Sequence, residues 1–117
     1  MTDDAIGEEL AGWGKVAWLE TTGRTSGNPA TAAVGFVEES DGSLLVAAGS
    51  ESADWALNLH AKPRCLVTIS DVVGWYDAME VTGAERDRAV VELILKYGTP
   101  AEKLGRGPVF RLERQSD

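Results

Sequence analysis

The sequence contains a single cysteine, Cys65, and a single histidine, His60, and this scarcity excludes several kinds of site. One cysteine cannot form an intramolecular disulfide, and one cysteine with one histidine cannot build a zinc site from the usual sulfur and nitrogen ligands. No nucleophile-elbow motif accompanies His60, so a Ser-His-Asp triad is not indicated. We therefore predict no metal centre, a buried Cys65 that behaves as a small apolar residue, and a surface His60 near the C-terminus of a helix.

Positive charge is also scarce in this chain. Eleven Lys and Arg residues stand against nineteen Asp and Glu residues, which gives a net charge of −8. The basic patch that attracts nucleic acid or anionic lipid is therefore missing. No apolar run reaches the length of a transmembrane helix, and the chain begins Met1-Thr2-Asp3-Asp4, where a secretory signal would carry positive charge. We expect a cytoplasmic protein without nucleic-acid partners and without membrane insertion.

The apolar residues, 44% of the 117, suffice for the core of one domain spanning 1–117. Apolar runs bounded by turn residues predict six β-strands, over 16–22, 31–39, 43–48, 64–69, 73–82 and 108–113. The Asp41-Gly42 pair is typical of a hairpin turn between the second and third of these strands.

Helical spacing predicts the remaining regular structure. An acidic N-terminal helix is expected within 1–14, and a longer helix over 85–97. A short helix is expected to begin at Ser52 or Asp54, as N-cap, and to stop before Pro63. Only the ends of the chain, especially 114–117, are expected to be loosely held.

The first segment with chemical character is the loop 23–29, which lies between two predicted strands. Gly23 and Gly27 permit a turn and a close approach of the backbone to a ligand. Arg24 offers a planar guanidinium that suits a phosphate, while Thr25 and Ser26 offer hydroxyl and N–H donors. These features predict an anion-binding hairpin. The alternative is a turn shaped by its glycines, with Arg24 in solvent.

The second segment is the short helix that follows about thirty residues later. Trp55 and Asn58 are three residues apart, so they share a face of this helix and present an aromatic ring beside an amide. One interpretation places both at a ligand site. The alternative is that Trp55 belongs to the core and Asn58 is a hydrogen-bonded amide at the helix surface.

The order and spacing of these segments resemble the deazaflavin-dependent nitroreductase family, a branch of the flavin/deazaflavin oxidoreductases. The resemblance runs from about residue 16 to 113, and its best motifs are TTGR-SG-P in 21–29 and W--NL-A-P in 55–63. It implies an α+β, mainly β fold: a six-stranded split β-barrel, FMN-binding split-barrel-like, with two to three covering helices. It also implies a reductase that uses the deazaflavin coenzyme F-420 and transfers a hydride to a quinone-like or nitroaromatic acceptor.

The resemblance further implies which residues bind the cofactor. Its phosphate would be held at the loop, its ring would lie along the small residues of 47–50, and the short helix would close the site. The implied cofactor-binding residues are Arg24, Thr25, Ser26, Ala48, Gly49, Ser50, Trp55 and Asn58. No catalytic residue is identified; Tyr97 and Tyr76 are the weak candidates for a proton donor.

The chain departs from the family pattern in its charge. Family members that use the deazaflavin commonly carry basic residues where this chain has Thr25, Ala30 and Ser50. Two alternatives therefore stand: an FMN-binding split-barrel reductase, whose cofactor has one phosphate, and a non-catalytic small-ligand-binding barrel that has lost the cofactor site. Trp13, Trp18 and Trp75 supply apolar contact area for a predicted homodimer.

Overall fold

The computed structural model describes residues 16–70, 72–97 and 107–115 of the chain. The helix predicted within 1–14 lies outside the described residues, and so do the last two residues of the predicted C-terminal tail. The architecture is mainly β, with seven strands and two helices among the described residues.

Apart from the strand predicted over 31–39, each described strand and helix occupies a segment close to its predicted one. The strands are β1 (Ala17–Thr22), β2 (Pro29–Val34), β3 (Phe36–Glu38), β4 (Leu44–Ala47), β5 (Arg64–Ile69), β6 (Val72–Val81) and β7 (Val109–Arg114). The helices are α1 (Asp54–Ala61) and α2 (Gly83–Tyr97).

The strands form one antiparallel sheet in the order β2-β1-β5-β6-β7-β4-β3. Strands β2 and β3 stand at opposite edges of this order, yet only Gly35 separates them along the chain. The sheet must therefore curl until its two edges meet, which is the geometry of a split barrel. The predicted fold class is confirmed.

The strand count differs from the prediction because the single strand expected over 31–39 is divided at Gly35. The chain leaves one sheet edge before this residue and joins the other after it. A glycine within a strand pattern often marks such a bend at a barrel corner. Six predicted strands thus become seven.

The interior of the curled sheet is filled by apolar side chains from several strands and from α1. Leu19, Val67, Phe110 and Leu112 are at most 2% exposed. On average, burying such a side chain fully stabilises the fold by ~1.5–3 kcal/mol. Helix α1 adds Trp55, Ala56 and Leu59 to the same cluster, so one face of this short helix closes the barrel.

A second core lies on the outer side of the sheet, beneath α2. Leu45, Ala47 and Val109 contribute the sheet side of this cluster, and Ala89 and Leu93 contribute the helix side. Both faces of β4 are therefore buried, which explains its unbroken apolar run.

Cys65 lies in the barrel interior and is 1% exposed, as predicted. Burial, with a smaller contribution from the nearby Asp77 carboxylate, raises the pKa of its thiol to about 12. The thiolate that would act as a nucleophile is therefore disfavoured.

The C-terminal strand extends further than predicted. Arg114 belongs to β7, and the N–H of Gln115 donates a hydrogen bond to the Trp75 carbonyl at 3.0 Å. These two residues are thus tied to the sheet rather than loosely held. In the part of the chain that the structure describes, no helix has the length and apolar character to cross a membrane.

Candidate functional site

The β1–β2 loop is a tight turn that holds its own shape. The Gly23 N–H donates to the Asn28 carbonyl at 2.8 Å, and the Gly27 N–H donates to the Gly23 carbonyl at 2.9 Å. Gly27 has a φ of 77°, a conformation that glycine adopts without strain. A Cβ on Gly23 would stand 2.7 Å from the Ser26 hydroxyl oxygen. The two glycines therefore perform the turning role that the sequence predicts.

Arg24 does not extend into solvent from this turn but folds back onto α1. Its Nη1 donates to Asn58 Oδ1 at 2.7 Å, and its backbone N–H donates to the same oxygen at 3.2 Å. Its Nη2 lies 3.2 Å from Asp54 Oδ1. The guanidinium is thus fixed between the loop and the first turn of the helix.

Asn58 is the connecting residue of this cluster. It is 3% exposed, and its Nδ2 donates to Thr21 Oγ1 at 3.0 Å. Thr21 Oγ1 in turn donates to the Ala30 carbonyl at 3.4 Å. A buried amide with both ends hydrogen-bonded specifies one geometry, so Asn58 fixes the position of Arg24 relative to β1 and α1.

The N-terminus of α1 differs from the prediction. The N-cap residue is Ala53 rather than Ser52 or Asp54, and no side chain of the described residues caps it. The hydroxyl groups of Ser50 and Ser52 lie 2.8 Å from each other instead. The first backbone N–H groups of the helix therefore lack a side-chain acceptor, an arrangement that favours an anion.

The loop tip provides further donors of the same kind. Thr25 and Ser26 are exposed, and their backbone N–H groups have no hydrogen-bond acceptor among the described residues. Ser26 Oγ accepts the Asn28 N–H at 3.1 Å. The Arg24 guanidinium thus lies between the two free N–H groups of the loop and the uncapped N-terminus of α1. This set of donors fits a phosphate.

The small residues after β4 lie beside the C-terminal segment. Ala48 is buried, and its N–H donates to the Pro108 carbonyl at 2.9 Å. Gly107 approaches so closely that a Cβ there would stand 2.6 Å from the Ser50 carbonyl oxygen and 2.7 Å from that of Ala48. Gly49 and Ser50 are partly exposed, so this short stretch retains one accessible side.

Trp55, in contrast, is placed in the barrel core. It is 5% exposed and packs against Phe110 with 6.0 Å between ring centroids. The position of Trp55 thus fits the interpretation as a core residue better than the interpretation as an aromatic ring that contacts a ligand. Its packing holds α1, and with it Asn58, against the sheet.

The two tyrosines also have structural partners. Tyr97 lies at the end of α2, where its hydroxyl accepts the Phe36 N–H at 3.1 Å, and burial raises the pKa of this phenol. Tyr76 is 7% exposed within the barrel cluster. The structure brings Arg24 and Asn58 together, but it does not bring either tyrosine to that cluster.

Sequence reasoning missed three features of this region. Thr21 and Asp54 belong to the Arg24 cluster, and the spacing of Asp54 four residues before Asn58 is a signal that could have revealed its part. A separate cleft of about 380 Å³ lies on another side of α1. We call it the His60 cleft; its described lining residues are Glu51, His60, Glu80, Arg86, Gly107 and Pro108.

Comparison with known protein families gives one clear match. The family of the F420H(2)-dependent quinone reductases matches residues 1–108 of the chain. A search among curated proteins returned no match.

Solved structures of the same shape support this match. A structure described as an F420-H2 dependent reductase, FDR-A, is 29% identical over 84% of this chain and 93% of its own, with a TM-score of 0.65. A structure described as a domain-swapped dimer is 25% identical over 91% and 92% of the two chains, with a TM-score of 0.68. The heme storage protein HutZ from Vibrio cholerae, at 17% identity over 100% and 93% and a TM-score of 0.69, shares the fold alone.

Proposed function

Because this chain belongs to the F420H(2)-dependent quinone reductase family, we propose that it binds coenzyme F-420 and reduces a quinone-like acceptor. The observation that carries the proposal is the position of Arg24. Its guanidinium is held by Asn58 and Asp54 at the uncapped N-terminus of α1. A cation already fixed beside free N–H donors binds a phosphate without first losing its conformational freedom.

Each part of the site has a defined task in this proposal. Arg24 and the N–H groups of Thr25 and Ser26 bind the cofactor phosphate. The partly exposed backbone of Gly49 and Ser50 lies along the ring. Asn58 acts as a positioning residue, because it orients Arg24 and does not itself contact the cofactor.

When bound, the reduced deazaflavin supplies a hydride to the acceptor. The protein positions the two reactants and excludes water from the site, and positioning alone can account for a large part of such a rate. The family favours a quinone-like acceptor. A nitroaromatic compound is the second acceptor to test, because it too is flat, neutral and electron-poor.

The charge of the site is the feature that fits the cofactor least well. Between residues 21 and 62 the chain carries two basic residues, Arg24 and Lys62, and five acidic ones. The carboxylates in the cofactor tail therefore meet few cations. We infer that Arg24 carries most of the electrostatic attraction, which makes it the residue to test.

The experiment is a fluorescence titration of F-420 with the wild-type protein and with Arg24→Ala and Arg24→Lys. We expect the alanine variant to weaken binding by ~1.5–3 kcal/mol, roughly tenfold to over a hundredfold. Lysine should restore only part of this, because an ammonium group lacks the two-pronged geometry. Arg88→Ala, on the exposed side of α2, is the matched control.

The outcomes separate the proposal from its alternatives. Unchanged affinity in both Arg24 variants would mean that the loop is only a turn. A wild-type protein that binds FMN and ignores F-420 would establish the FMN alternative, although the family match supports F-420. A folded protein that binds neither would establish the small-ligand carrier.

We also propose that the protein is a homodimer in the cytoplasm. The similar structure described as a domain-swapped dimer supports a pairing of two copies. Exposed tryptophans on the sheet, Trp18 and Trp75, supply the apolar surface. The cytoplasmic location stays a prediction from the sequence.

A further inference from the structure

The His60 cleft is bounded by five separate parts of the fold. Glu51 precedes α1 and His60 lies in its last turn, while Glu80 lies near the end of β6 and Arg86 in the first turns of α2. Gly107 and Pro108 complete the described lining. A volume of about 380 Å³ falls within the range of ~300–1,000 Å³ that small-molecule sites occupy.

His60 is held in one orientation at this cleft. Its Nε2 lies 2.6 Å from Glu80 Oε1, and its ring packs on Phe110 with 5.2 Å between centroids. The side chains of His60 and Glu80 are 45% and 41% exposed. Since Glu80 occupies Nε2, the nitrogen available to a bound molecule is Nδ1. A hydrogen bond to a carboxylate at one nitrogen fixes the tautomer and the orientation of the ring.

The cleft adjoins the segment that the proposed function assigns to the cofactor ring. Gly107 lies against the carbonyl groups of Ala48 and Ser50, and Pro108 accepts the Ala48 N–H. Glu51 directly follows Ser50. The cleft and the ring segment are therefore in contact through a shared wall.

We propose that the His60 cleft receives the acceptor and that His60 is the proton donor of the reduction. The inference rests on the proposed function. The acceptor gains two electrons and one hydrogen as a hydride, while the deazaflavin is oxidised. The O–H bond on the acceptor oxygen forms as the Nδ1–H bond of His60 breaks, and solvent returns a proton to the neutral ring. The Glu80 carboxylate holds the ring at Nε2, and Glu51 and Arg86 are the other charged residues among the described lining of the cleft.

The alternative is a structural ion pair that ties α1 to β6. Exposed pairs of this kind contribute little to stability, and the imidazole of a purely structural pair would not respond to an added acceptor. Because His60 is the only histidine, its imidazole signals in an NMR spectrum need no assignment. The response can therefore be measured without the cofactor.

The first test titrates 2-methyl-1,4-naphthoquinone into the cofactor-free wild-type protein and follows the imidazole signals. We expect a saturable shift of these signals. Glu80→Gln, which keeps a hydrogen-bond acceptor but removes the charge, should change the shift. Absence of a shift at saturating quinone would overturn the proposal whether or not F-420 binds.

The second test measures reduction of the same quinone with reduced F-420 by His60→Gln and by Lys62→Gln, an exposed neighbour at the same helix end. General acid catalysis typically contributes ~10²–10⁴-fold, so we expect kcat of His60→Gln to fall at least tenfold, with the F-420 affinity changed less than twofold. The dependence of kcat on pH should differ between the wild type and His60→Gln. Equal kcat values and pH profiles would overturn the assignment.

The two tests separate this inference from the proposed function. Loss of F-420 binding in the wild type contradicts the proposed function, and the cofactor-free quinone titration still decides whether the cleft binds an acceptor. Normal F-420 binding and activity with an unaffected His60→Gln variant contradicts only the role of His60. Thermal unfolding of each variant establishes that it is folded.

Discussion

At the scale of single residues, the two side chains that hold Arg24 affect anion binding in opposite ways. Asn58 Oδ1 orients the guanidinium without adding a charge. Asp54 also orients it, at 3.2 Å, but brings a carboxylate to the N-terminus of α1, where a phosphate would bind. Like charges at one helix N-terminus oppose each other, so Asp54 competes with the cofactor for the same cation.

This competition leads to a prediction for Asp54→Asn. The asparagine retains a hydrogen-bond acceptor for Arg24 and removes the negative charge. Because the carboxylate is largely exposed, 83% of its side chain, we expect a gain in F-420 affinity of only ~0.5–1 kcal/mol, about two- to fivefold. The measurement is a titration at low ionic strength, repeated at high salt, where the gain should shrink.

Asp87→Asn serves as the control for Asp54→Asn, since it removes an exposed charge from α2. Equal affinity of wild type and Asp54→Asn at low salt would contradict the prediction. It would mean that the carboxylate and the cofactor do not share Arg24.

At the scale of helices and strands, the sequence predicts those elements and turns that depend on the local pattern of residues. β5 and the end of α2 match their predicted bounds, because apolar periodicity and turn residues mark them. The turn role of Gly23 and Gly27 was predicted for the same reason. These features depend on residues that are neighbours along the chain.

The features that the sequence did not predict depend on distant contacts. Gly35 divides a continuous strand pattern because the sheet curls, and curling is a property of the whole sheet. The pairing of His60 with Glu80 joins residues twenty positions apart, and no local pattern indicates it. Asn58 was identified by its motif, but its bond to Arg24 spans 34 positions and needed the fold.

Strand β3 illustrates how α2 protects an exposed sheet edge. Phe36 pairs with Val46 on one side, while its N–H donates to the Tyr97 hydroxyl at 3.1 Å. Its carbonyl accepts from Lys96 Nζ at 2.7 Å. An unpaired edge is otherwise a site for pairing with another chain, so the end of α2 satisfies backbone groups that the sheet leaves open.

For Tyr97→Phe we therefore predict a loss of stability with little change in function. The change removes the acceptor of the partly buried Phe36 N–H, and the loss of such a hydrogen bond costs ~0.5–1.5 kcal/mol. Calorimetry should show a lower Tm and denaturant titration a smaller free energy of unfolding. Leu95→Ala, at a side chain 79% exposed, should change the free energy by less than ~0.5 kcal/mol.

The same variant decides the role of Tyr97 in the reaction. If the hydroxyl serves β3, the rate of acceptor reduction at a temperature where the protein is folded should be close to that of the wild type. A large loss of kcat with normal stability would instead restore Tyr97 as a proton donor.

At the scale of the whole molecule, exposed apolar side chains concentrate on one face of the sheet. Trp18 on β1 and Val73 on β6 both pair with Thr68 on β5, and partners in register point to the same face. Leu66 and Trp75 form the next row. Trp18, Val73 and Trp75 are each about half exposed, at 49%, 52% and 47%.

Exposed apolar side chains that lie next to one another on a protein surface often mark an interaction site. Aromatic side chains are also the residues enriched in protein interfaces. Arg64 stands over the Trp75 ring at 5.0 Å, so the patch has a polar rim as well. We assign the predicted homodimer contact to this face.

The last prediction tests this assignment by charge. Trp18→Glu and Trp75→Glu each place a carboxylate in the patch, and in a two-fold interface each substitution appears twice. Because an unpaired buried charge is costly, we expect size-exclusion chromatography with light scattering to give twice 12.5 kDa for the wild type and 12.5 kDa for each variant, at micromolar concentration. Leu95→Glu, on the exposed face of α2, should leave the dimer intact. A wild type that elutes as a monomer would contradict the dimer itself, whereas a dimer unaffected by both tryptophan substitutions would place the contact on another face.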